Sequence, residues 1–175
     1  MIRKVKLFTL LISILFLSAL PSYASSTYVL PYPSTMPGSI FYKIHLVEET
    51  VLRYWYFGDF GQFTYNLKES DKYLVEAKTL FEYNQYLLGY EALKKSDVYF
   101  SKTLPYLLKA QKQGKDISAN RDLLSQAALK HKEVLLTVKQ EVPPVFNWTP
   151  EKSALTVLNL KAAIDASIAI RDKYL

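Results

Sequence analysis

The sequence has no cysteine and only two histidines among its 175 residues. Without cysteine, the chain has no disulfide framework, no thiolate metal site and no cysteine to carry a lipid anchor. Two histidines leave no catalytic triad to propose, and neither a glycine-rich phosphate loop nor an H-E-x-x-H zinc motif occurs. We therefore predict that the protein is not an enzyme and uses no cofactor. A pair of carboxylates distant in sequence is the remaining catalytic alternative.

The N-terminus has the pattern of a secretory signal peptide. Basic residues within 3–6 precede an unbroken apolar run over residues 7–20, and small residues at Ser22 and Ala24 suit a signal peptidase. A spanning helix needs about 20 apolar residues, so the run favours cleavage after Ala24 over retention as a membrane anchor. We expect residues 1–24 to be a signal peptide and the remainder to be secreted or extracytoplasmic. In the alternative, the signal peptide stays uncleaved and anchors the chain in the membrane.

The net charge is small once the signal peptide is set aside. The full chain carries +6, and residues 25–175 keep 19 basic and 16 acidic residues, a net +3. So mild a charge predicts no nucleic-acid partner. It allows a weak attraction to anionic polymers of the cell envelope without requiring one.

An extended leader is predicted for residues 25–38. Its three prolines fix φ and push each preceding residue out of the helical region. From residue 39 onward, apolar residues recur at 3- and 4-residue spacing, which is typical of amphipathic helices, and no stretch alternates for long enough to predict a strand. The predicted helices are 39–57, 60–83, 85–113, 117–141 and 150–174. Residues 39–175 are therefore predicted to form an all-α domain, a four- to five-helix antiparallel bundle.

Two of these helices have clearly divided faces. The first carries apolar residues on one face, at Ile40, Ile44, Val47, Val51 and Tyr54 or Trp55. The second has apolar residues and Ser70 on one face, and we expect the other to be solvated, with Lys68, Glu69, Lys72 and Glu76. Glycines at 58 and 61 are expected to separate the two helices.

Polar residues also occur in register with apolar positions further along the chain. His131 follows Leu124 by seven residues and precedes Val138 by seven, so we predict a hydrogen-bonded histidine at the edge of the core. Ser167 falls on the apolar face of the last predicted helix. Thr149 is expected to cap that helix, with Pro150 at its first position.

The one metal-like constellation is His45 with Glu48 and Glu49. Their spacing puts the three side chains on one side of the first predicted helix, within reach of one ion. Groupings of this kind are common by chance, so a solvated face is the favoured interpretation and the three residues are weak candidates for metal ligands.

Four consecutive aromatics, Tyr54-Trp55-Tyr56-Phe57, end the first predicted helix. One helix cannot bury four adjacent side chains, so one or two rings should be exposed unless another segment covers them. Exposed rings could stack on sugar or on proline. The favoured alternative is a lid formed by Tyr32, Pro33 and Met36.

The leader itself also allows two interpretations. A proline-rich stretch loses little entropy when it binds a partner groove, whereas packing against the bundle is the favoured alternative. The candidate partner-contact residues of the leader and the aromatic cluster are Tyr28, Leu30, Pro31, Tyr32, Pro33, Tyr54, Trp55 and Tyr56.

The leader motif Tyr28-Val29-Leu30-Pro31-Tyr32-Pro33 continues with Phe41-Tyr42 and with the segments 71–77 and 89–93. Over residues 28–95 the chain resembles a family of short secreted or envelope-associated bacterial domains of unknown function. The resemblance implies an extracytoplasmic helical fold and no activity.

These observations favour a secreted or envelope-resident helical module that acts through contacts with an envelope or secreted protein. The alternative is a ligand-binding or sensor domain for wall carbohydrate or a metal ion. Neither the oligomeric state nor the partner follows from the sequence.

Overall fold

The structure is a computed structural model that describes residues 26–33, Val47, 51–52, 54–151 and 154–175. The predicted signal peptide, Met36, and the metal-ligand candidates His45, Glu48 and Glu49 lie outside these residues. In chain order, the described elements are α1 (Gly58–Glu82), α2 (Tyr86–Lys112), α3 (Ser118–Glu141), β1 (Phe146–Trp148), β2 (Thr156–Leu158) and α4 (Leu160–Asp172). Val47, 51–52 and 54–55 are helical as well. The prediction of a mostly helical fold is confirmed.

The predicted break before α1 is present at Gly58, whose φ of 70° is left-handed. The chain folds back closely here: a Cβ on Gly61 would lie 2.8 Å from the carbonyl carbon of Tyr56. At the other end of α1, Asn84 turns the chain with φ 59°, and Gly89 lets α2 approach the ring of Phe81. Gly61 and Gly89 thus allow close contacts at the two ends of α1.

The region after α3 corrects the sequence prediction. Thr149 caps no helix; β1 and β2 form an antiparallel hairpin that pairs Phe146 with Leu158, and α4 begins at Leu160. The ring of Phe146 packs on Tyr86 at 5.0 Å between centroids, and Leu158 is buried in the core. Three residues per strand are too few to show alternation in the sequence, although the β-branched Thr156 and Val157 suit a strand.

Two apolar clusters fill the interior, and a polar layer lies between their positions along α1, α2 and α3. One cluster includes Leu74, Leu93, Leu135 and Ile164, and the other includes Phe63, Phe100, Leu107 and Leu124. The buried polar residues between the clusters along α1, α2 and α3 are Ser70, Asp71, Ser96 and His131. Ser167 and Arg171 of α4 are also buried, and they join this layer through hydrogen bonds to Asp97, Ser96 and His131. Buried polar groups require hydrogen-bond partners. The contacts of this layer are therefore described first as a candidate site.

The outer face of α1 is a second correction. Glu69 and Glu76 were expected in solvent, yet both are buried. Tyr65, Tyr73 and Val75 are buried on the same helix, so α1 is covered on more than one side.

Candidate functional site

Arg171 organises the polar layer. Its side chain is fully buried and forms an ion pair with Asp97. Nη2 donates to Ser96 Oγ at 2.8 Å, and Nη1 donates to the carbonyl of Ser167 at 3.2 Å. The guanidinium also lies over the ring of Phe100, 4.9 Å from its centroid. A buried arginine is stable only when paired in this way, because an unpaired buried charge is costly.

His131 connects Arg171 to α1. Its Nδ1 accepts a hydrogen bond from Arg171 Nε at 3.4 Å, so the ring proton is on Nε2, which lies 2.7 Å from Asp71 Oδ1. Burial lowers the pKa of His131 despite the hydrogen bond with Asp71, so the ring is neutral. The predicted hydrogen-bonded histidine is confirmed, although it is fully buried and not at the core edge.

The leader is tied to the same layer through Tyr28. Its hydroxyl donates to Asp71 Oδ2 at 2.6 Å, and Ser26 Oγ donates to the carbonyl of Gln126 at 2.8 Å. Burial, followed by the charge of Asp71, raises the pKa of Tyr28 far above its usual value. Residues 26–33 therefore bind the helices as an extended strap.

The strap alternates in exposure. Ser26, Tyr28 and Leu30 are half-buried, whereas Thr27, Val29 and Pro31 are exposed. Tyr28 packs on one apolar cluster and Leu30 on the other, so the strap crosses the polar layer between them.

These contacts satisfy the polar groups of the network from within the protein. The serines, the histidine and the charged groups all bond to one another, and His131 has no exposed surface. Ser70 and Ser96, for example, exchange hydrogen bonds with each other's backbone carbonyls at 3.0 and 2.8 Å. The geometry supports a structural role: it joins α1, α2, α3, α4 and the leader at one level.

The aromatic cluster is arranged differently, and the lid prediction is wrong for Tyr32 and Pro33, which are both exposed. Tyr32 is 95% exposed and covers nothing, and Tyr54 and Trp55 are 73% and 75% exposed. Tyr56 alone is half-buried: its ring lies 5.8 Å from that of Tyr65, and its hydroxyl accepts a hydrogen bond from Lys68 at 2.8 Å. The exposed candidates are therefore Pro31, Tyr32, Pro33, Tyr54 and Trp55.

Exposure continues along the preceding helical residues. Val47 and Val51 are 65% and 60% exposed, and with Trp55 they follow a 4-residue spacing. We call Val47, Val51, Tyr54 and Trp55 the apolar stripe. A helix places residues at this spacing on one face, so the four apolar side chains of the stripe share a face and are exposed to solvent.

Other kinds of site gain no support from the described residues. They contain no group of three or more His, Asp or Glu side chains placed to hold a metal ion. A groove of about 740 Å³ lies beside the leader and contains the ion pairs Lys78–Glu82 and Lys130–Glu133. None of the described helices is long and apolar enough to cross a membrane.

Comparison of the chain with protein-family models, with curated proteins and with solved structures finds no match. Function must therefore be inferred from the residues themselves.

Proposed function

We propose that this protein is an extracytoplasmic helical module of the cell envelope that acts by binding another protein, and that the apolar stripe is its contact surface. The observation that supports this most is the exposure of Val47, Val51 and Trp55 on one helical face. Soluble proteins seldom leave such a surface without use. Helices that bind a partner's groove commonly do so through anchors at this spacing.

The remainder of the fold suits a rigid support for that surface. In this proposal the helices form an antiparallel bundle, preceded by the leader and by a signal peptide that directs the chain out of the cytoplasm. The buried network around Arg171 locks the leader to the bundle, and Phe57, 81% exposed, extends the apolar surface towards α1.

Binding can be tested with the full-length chain, tagged and purified from its own cells under native conditions. We expect a discrete partner to copurify with the unchanged protein and to be lost from the variants Val51→Glu and Trp55→Ala. Leu123→Ala is the matched control, because Leu123 is an exposed apolar residue on α3. Equal recovery from all variants would contradict the stripe as contact surface.

A carbohydrate ligand is the second candidate, because the exposed rings of Tyr54 and Trp55 can stack on a sugar. A Trp148→Phe variant leaves Trp55 as the sole tryptophan of the chain. Soluble wall oligosaccharide should then change the fluorescence of Trp55 in a saturable way. An unchanged spectrum at millimolar oligosaccharide would contradict this candidate.

A further inference from the structure

The hairpin that precedes α4 has two edges of different composition. Among the described residues, β1 and β2 form a sheet of two strands, so each strand pairs on one side and leaves its other edge without a strand. Prolines at 143, 144 and 150 flank β1. Proline has no backbone N–H to donate, and prolines beside an exposed edge protect it against pairing with another chain. The β1 edge is therefore protected.

The β2 edge has no such protection. Residues 154–160, with the sequence Ala-Leu-Thr-Val-Leu-Asn-Leu, include no charged residue, no proline and no glycine. Leu155 and Val157 are 54% and 53% exposed. In the described part of the chain, residues 155–158 make no backbone–backbone hydrogen bond beyond their pairing with β1. An exposed edge of apolar and β-branched residues without a charge is a template for a further strand.

The sequence of this edge is compatible with its own copy. Antiparallel pairing of two identical strands has two-fold symmetry, so each contact occurs twice. When Val157 faces Val157 of the copy, Leu155 faces Asn159 and Thr156 faces Leu158. Like charges placed opposite each other would destabilise such a pair. None occurs in this register, because residues 154–160 are uncharged.

We propose that β2 pairs with β2 of a second copy of this chain, antiparallel and centred on Val157, to form a four-stranded sheet. A hairpin of two strands is marginally stable, and further strands stabilise it. The protected β1 edges become the outer edges of the sheet, so growth ends at the dimer. The contact is small, which favours a reversible dimer over an obligate one. It does not include the apolar stripe, so it is independent of the proposed protein partner.

Sedimentation of the full-length chain over a range of concentrations tests the dimer. We expect a reversible monomer–dimer equilibrium that Val157→Lys weakens by about tenfold or more, because two lysines then face each other. The matched control is Val98→Lys on α2, where the side chain is also 53% exposed; it should change the dissociation constant less than about twofold. An equal mixture of Val157→Lys and Val157→Glu should recover the dimer, because opposite charges are then paired.

A cysteine substitution tests the register separately. The chain has no cysteine, so Val157→Cys introduces a single thiol. Facing residues of paired antiparallel strands have Cβ atoms about 4.5–5.5 Å apart, close to the separation in a disulfide. Mild oxidation should therefore link Val157→Cys into a dimer, and the control Val98→Cys should remain unlinked.

Four outcomes would overturn the proposal. The unchanged protein could sediment as a monomer at every concentration, which would assign the edge to a different partner or to none. The two lysine variants could weaken association equally. The mixture of Val157→Lys and Val157→Glu could stay monomeric although thermal melts show both variants folded. Assemblies larger than a dimer could form, which would contradict the protection of the β1 edge.

Discussion

Two segments that precede α1 have similar composition and opposite placement. Residues 26–33 and the described helical residues Val47, 51–52 and 54–55 are both rich in aromatic and branched apolar side chains. The leader turns every second side chain towards the helices, and the hydroxyl of Tyr28 finds a buried carboxylate. The apolar stripe instead lies in solvent. Aromatic content alone therefore does not distinguish an internal contact from an external one; a buried acceptor for the polar tip does.

Replacement of Arg171 should cause the largest loss of stability, because Arg171 belongs to the buried network that binds the leader. Arg171→Ala leaves Asp97 without its cation and removes the donor to His131, so we expect a loss of about 4 kcal/mol in the free energy of unfolding. Chemical denaturation measures it. Lys173→Ala, an exposed neighbour beyond α4, should change stability little. A loss below about 1 kcal/mol for Arg171→Ala would contradict a structural role of the network.

A smaller effect is expected at the leader itself. Tyr28→Phe keeps the ring but removes the hydrogen bond to the Asp71 carboxylate, which should cost about 2 kcal/mol. The leader should also become easier to cleave by a protease under native conditions. Tyr32→Phe, which changes an exposed ring, is the control. If both variants behave alike, the hydroxyl of Tyr28 does not hold the strap.

The pH dependence of stability tests whether Glu69, on the outer face of α1, is buried in the folded protein. Burial raises its pKa from 4.5 to about 7, and Oε2 has no hydrogen-bond partner among the described residues. The folded state thus binds this proton more tightly than the unfolded state. The resulting stability is fully present below about pH 4.5 and is lost as the pH rises through 7.

Glu69→Gln should remove that dependence. We expect the variant to match the unchanged protein at pH 4 and to exceed its stability at pH 8 by about 1 kcal/mol or more. Thermal melts across this pH range measure the difference. Parallel curves for the two proteins would show that Glu69 ionises as freely in the folded state as in the unfolded chain.

The smallest effect on stability is expected in the apolar stripe. Trp55→Ala should alter the free energy of unfolding by no more than about 0.5 kcal/mol, because the side chain is largely exposed. Chemical denaturation is again the measurement. A loss of 2 kcal/mol or more would place Trp55 in the core and remove the contrast between the segments.

Much of the helical framework was predictable from spacing alone. The predicted helices 60–83, 85–113 and 117–141 agree closely with α1, α2 and α3, because each repeats its apolar residues at helical spacing over several turns. The hairpin before α4 was missed because each strand has three residues. The stripe was recognised as a pattern, but a pattern does not show whether a partner segment covers it.

The polar layer was partly visible in the sequence. Ser70, His131 and Ser167 stood in register with apolar positions, which indicates buried polar groups. Their partners depend on how separate helices pack, and no spacing rule supplies that information. Arg171 gave the weakest signal, since a basic residue in the last turn of a helix usually interacts with the helix dipole and solvent.

The most direct test of the account is site-specific photocrosslinking in living cells, with the photoreactive residue at 47, 51 or 55 of the full-length chain and at the exposed control position 123. The account predicts one discrete crosslinked protein from the three stripe positions and none from position 123. The same product from all four positions, or no product from the stripe, would contradict the apolar stripe as a contact surface.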